Sequence, residues 1–62
     1  MKATFSGQSN REVIVQTELS EVRLTITTPD SETRPVGLLL DTATAEALAA
    51  AIKQAAQVAR RF

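Results

Sequence analysis

The chain has 62 residues, seven Lys+Arg balanced by seven Asp+Glu, and no Cys, His, Trp or Tyr. That composition excludes a disulfide scaffold, a thiolate or imidazole metal site, haem attachment and any nucleophile–base pair built on Cys or His. One small domain fits the length, and its core is thin, since ten of the hydrophobic residues are Ala and the two aromatics are Phe5 and Phe62.

A first strand is expected over residues 2–6, leading into Gly7-Gln8-Ser9-Asn10, which has turn composition. Residues 11–19 then alternate, with Val13, Val15, Thr17 and Leu19 on one face and Glu12, Ile14, Gln16 and Glu18 on the other. The pattern returns over residues 22–28, where Val22, Leu24 and Ile26 oppose Arg23, Thr25 and Thr27. A period of 2 is the signature of half-buried antiparallel strands. Between the two runs, Ser20-Glu21 lacks the Asn-Gly or Gly-X that two-residue hairpins favour, so a longer turn taking in Leu19 or Val22 is expected. Residues 29–35 are polar and bracketed by Pro29 and Pro35, which marks a connection. A short strand follows over Val36–Leu40, with Val36, Leu38 and Leu40 inward and with Gly37 read as a bulge or a close backbone approach.

The grammar changes at Asp41. Nine of the ten Ala lie between Ala43 and Ala59, and Ala45, Leu48, Ala49, Ile52, Ala55, Ala56 and Ala59 follow the i, i+3, i+4, i+7 rule of an amphipathic helix. Asp41 stands where an N-cap belongs, so a helix is predicted over residues 42–61. The fold class is therefore α+β: a three- or four-stranded antiparallel meander, depending on whether residues 2–6 join it, packed on one face by a single C-terminal helix. Val13, Val15, Leu24, Ile26, Leu38, Leu40, Leu48 and Ile52 are the expected core.

Helix length bears on assembly. Twenty helical residues span about 30 Å, whereas a seven-residue strand spans about 23 Å, so the helix overhangs its own sheet. The overhanging turn carries Val58 and Phe62, which with Ala47, Ala51 and Ala55 form a second apolar line. These five residues are the expected contact with another copy. With disulfides and metals excluded, oligomerisation is the common remaining support for so small a fold.

Residues with the character of a chemical site have simpler explanations. Asp41 and Glu46 lie on different faces of the predicted helix, as a cap and a solvated acid. Asp30 and Glu32 lack the spacing of a calcium loop. Gly7 and Gly37 are too few and too far apart for a phosphate-cradling loop, and no Ser or Thr has a His to activate it. No cofactor and no enzymatic activity are expected. Two small folds of similar grammar fail on residues: the MbtH-like proteins carry a tryptophan-bearing signature, and double-stranded-RNA-binding domains carry a lysine cluster where this chain has Thr42-Ala43-Thr44.

Two readings remain. The leading one is a non-enzymatic, homo-oligomeric protein–protein interaction module, an adaptor or regulator, whose partners are itself and another protein. The alternative is a dimeric DNA-binding regulator using Arg60 and Arg61 at the helix end with Arg11 and Arg23 on the strands. Residues 1–40 carry four basic and five acidic side chains, and residues 41–62 three and two. Neither half has the basic excess that phosphate binding needs, although a dimer would bring two Arg pairs together. A site formed between subunits ranks third. No signal-like apolar run opens the sequence and no stretch approaches the ~20 apolar residues of a membrane span, so a cytoplasmic location is the default.

Overall fold

The computed structural model describes residues 1–29 and 32–62. Asp30 and Ser31, within the connection expected over residues 29–35, lie outside the described residues. Four strands, β1 (Lys2–Ser6), β2 (Glu12–Glu18), β3 (Glu21–Thr27) and β4 (Val36–Leu40), precede one helix, α1 (Thr42–Ala59). The strands pair antiparallel in the order β1-β2-β3-β4. Residues 2–6 therefore join the sheet, and the meander has four strands.

Turn chemistry explains the register. Between β1 and β2, the Arg11 N–H donates to the Gln8 carbonyl at 3.3 Å, and Ser9 and Asn10 both have φ 59°. Two positive φ values at the central positions are the pattern of a type I′ turn, whose twist suits a hairpin. The Asn10 Nδ2 donates to the Pro29 carbonyl at 3.2 Å and ties this turn to the connection after β3.

Between β2 and β3, Glu18 pairs with Glu21, which leaves a tight two-residue turn of Leu19 and Ser20. Leu19 is in the turn, as expected, but the turn is short. It closes without glycine because Leu19 itself takes φ 56°, the sign required at the first central position of a type II′ turn. Leu19 thus leaves the apolar face assigned to it and is 99% exposed. Gly37 sits in unbroken pairing with Thr25, so the expected bulge is absent. A Cβ there would meet the Arg23 Nη1 at 3.4 Å, so the close approach is that of a flexible side chain.

Asp41 is the whole link between β4 and α1. Its carboxylate accepts from the Thr44 N–H at 2.7 Å, and its carbonyl accepts from the Ala45 N–H at 3.0 Å. A side-chain acceptor for a free amide of the first turn is what an N-cap supplies. At the other end, Arg61 donates to Val58 and Phe62 to Ala59, at 3.1 and 3.2 Å. These i→i−3 bonds tighten the end of α1 without a glycine.

The sheet has one apolar face. Across the strands it shows three rows: Phe5, Val13, Ile26 and Val36; then Ala3, Val15, Leu24 and Leu38; then Thr17, Val22 and Leu40. α1 starts from the end of an edge strand, and its contacts with the sheet fall mainly on β3. The expected core residues share this space, but no described residue is buried. Val13, Val15, Leu24, Leu40 and Leu48 are half-buried, whereas Leu38 is 56% and Ile52 60% exposed. The interior expected within one chain is corrected to a half-open face.

Candidate functional site

Where α1 meets the sheet, a cleft of about 400 Å³ opens between them. Val15, Val22, Leu24 and Leu40 line its sheet side, and Leu48 and Ile52 its helix side. Alternation put the first four on one face, and the helical period put the other two on one stripe. Polar groups stand among the lining residues, Thr17 and Thr42 with Glu46. The Met1 carbonyl accepts from both the N–H and the Oγ1 of Thr17, at 3.0 and 3.1 Å, which brings Met1 to the same cleft.

Beyond the cleft, the apolar surface continues uncovered. Phe5, Ile26 and Val36 in the first row are exposed, Val36 by 68%. No charged residue stands in any of the three rows. From Ala49 onward every residue of α1 is exposed. The molecule thus presents an open sheet face and an unsupported half-helix.

The residues expected at an oligomer contact are placed as follows. Ala51, Ala55 and Val58 line a shallow depression on α1 together with Gln54. Ala47 is exposed and not among its lining residues, and Phe62 is exposed beyond the helix end. Phe5 and Val36, exposed at the open end of the sheet, lie outside the contact expected from the sequence. A signal for them existed: Leu48 and Ile52 are the only bulky residues on the helix stripe, too few to cover three rows.

The four arginines do not converge within one chain. Arg23 is on the opposite, polar face of the sheet, where its Nε donates to the Glu18 Oε2. That hydrogen bond holds the Glu18 carboxyl below its ordinary range and raises the Arg23 guanidinium. Arg11 precedes Glu12, which pairs with Thr27, four residues or roughly 13 Å along β3 from Arg23. Arg60 caps the far end of α1, about 28 Å from Asp41. Hydrogen bonds from Thr44, first by its side chain and then by its backbone, hold the Asp41 carboxyl below its ordinary value. Cap and surface pair account for these shifts.

Among the described residues, no three His, Cys, Asp or Glu side chains converge as a metal ion requires, and no helix is long and apolar enough to cross a membrane. No family model, curated protein or solved structure matches the chain.

Proposed function

We propose that the chain is a non-enzymatic protein–protein interaction module, an adaptor or regulator, that works as a homo-oligomer. One observation carries this reading: a continuous apolar sheet face and half of an apolar-striped helix both stand open, and no described residue is buried. Apolar surface of that extent favours association by removal from water, at about 25 cal/mol per Å². In an oligomer that closes these surfaces, the polar sheet face with Ile14, Gln16, Thr25 and Leu39 remains for a second partner. The cytoplasmic location expected from the sequence stays part of the proposal, and fractionation of the native cell checks it.

Because association would complete the fold, stability should depend on concentration. Thermal melts over a hundred-fold dilution series are expected to move to lower temperature on dilution. Cooperative melting at one temperature throughout the series refutes the reading. The DNA-binding alternative draws on the exposure of Arg60 and Arg61 at one end of α1. A mobility shift that weakens with salt and disappears in the double variant Arg60→Ala/Arg61→Ala would replace the first reading by the second.

A further inference from the structure

The two open apolar surfaces on this chain have matching size and chemistry. The first is the outer sheet face, formed by Phe5, Val13, Ile26, Val36 and Leu38. Four strands at about 4.8 Å spacing make it about 14 Å across. The second is the free half of α1. At about 100° per residue, Ala51, Ala55, Val58 and Ala59 fall within an arc of about 100°, residues 50–59 run about 15 Å, and Phe62 follows exposed beyond the helix end. Lys53 and Gln57 fall on the opposite side of the helix. Neither apolar surface carries a charge that would have to be desolvated, and alanine allows a helix to approach a sheet closely.

Resting on the reading of the chain as a homo-oligomer, we propose that these surfaces meet between copies. The free half of α1 of one copy lies across the open sheet face of a second copy, and the second copy's helix returns the contact. A self-complementary exchange of this kind closes a two-fold dimer. Within one protomer the contact is not made, because α1 leaves the sheet from the end of an edge strand through the single residue Asp41, and its half beyond Ala49 is exposed.

Surface area supports a second copy as the occupant. The protomer exposes 5270 Å², whereas a compact folded chain of its 6.7 kDa exposes about 3,900 Å². The excess of about 1,400 Å² lies above the ~800 Å² per partner of a standard interface and within the range of obligate homodimers. A formal net charge of zero adds no repulsion between copies.

The natural absence of cysteine makes the contact directly testable. Chains bearing Val36→Cys are mixed one to one with chains bearing Ala55→Cys, Val58→Cys or Phe62→Cys, allowed to exchange, and oxidised mildly. At least one mixture should give a disulfide-linked species of twice the chain mass, in up to about half of the dimers, the statistical share of mixed pairs. Leu39→Cys, on the other sheet face, should give none with the same helix variants. Sedimentation of the unmodified chain separates the two ways to fail. A dimer that links through Leu39→Cys, or whose helix variants link only to themselves, overturns the reciprocal contact and leaves the oligomeric reading standing; a monomer overturns both.

Discussion

Leu19 combines two unfavourable features, a left-handed φ of 56° and a fully exposed leucine side chain. The conformation strains a residue with a Cβ by about 1–3 kcal/mol, and glycine is the residue a type II′ turn favours there. Glycine also adds about 0.5–1 kcal/mol of backbone entropy to the unfolded chain. Leu19→Gly should still stabilise the fold by about 1 kcal/mol, which raises the melting temperature by about 4–8 °C at this size. An unchanged or lower midpoint at matched protein concentration contradicts the turn assignment. Asp41 offers a test by pH. Its folded-state pKa is lowered, so its contribution is complete above the unfolded value of about 3.9 and is lost as pH falls through the folded value. Asp41→Asn retains a cap acceptor and should melt like the unmodified chain at neutral pH, with a smaller loss of stability below about pH 4. Asp41→Ala should lower the midpoint by a few degrees at neutral pH. Glu18 follows the same sign, because its carboxyl is held low chiefly by the hydrogen bond from Arg23; the pair is half-exposed, so Glu18→Gln should change the neutral-pH midpoint little.

At the scale of elements, each strand and the start of the helix follow from local pattern. The alternation of Val13 and Val15 against Ile14 and Gln16 assigns faces to β2, and Asp41 before Thr42 marks where α1 begins. Packing was less legible. An apolar stripe at Leu48 and Ile52 specifies which side of a helix seeks cover, but not the angle at which it leaves the strand. That angle is set at Asp41, whose extended backbone (φ −72°, ψ 167°) gives the connection no slack. The same limit explains why Val58 and Phe62 were placed at a contact while Phe5 and Val36 were not. Which part of the sheet the helix leaves open depends on that angle. The reciprocal contact therefore makes an element-level prediction. Val36→Glu sets a charge into the apolar row, where an unpaired buried charge costs several kcal/mol, and should weaken dimerisation by about 100-fold or more. Leu39→Glu, one residue removed in register from Leu38 and on the other face, should leave the dimer intact. Light scattering across a concentration series reads both.

As a whole, the single chain is extended for its length. Its radius of gyration of 13.1 Å exceeds the ~10.6 Å of a compact chain of this length and approaches the ~13.7 Å of a compact unit twice as long. Its thin composition is explained in the same way. With ten alanines and two aromatics, the chain builds one apolar sheet face and one narrow helix stripe, which together bury no described residue within one copy; in the proposed dimer another copy supplies the missing cover. Sedimentation equilibrium of the unmodified chain at micromolar concentration is the most direct measurement. A mass of about 13 kDa, twice that of one chain, is expected, with dissociation accompanied by loss of sheet and helix signal. A mass of 6.7 kDa with the fold retained would show that the open faces are stable in water without a second copy.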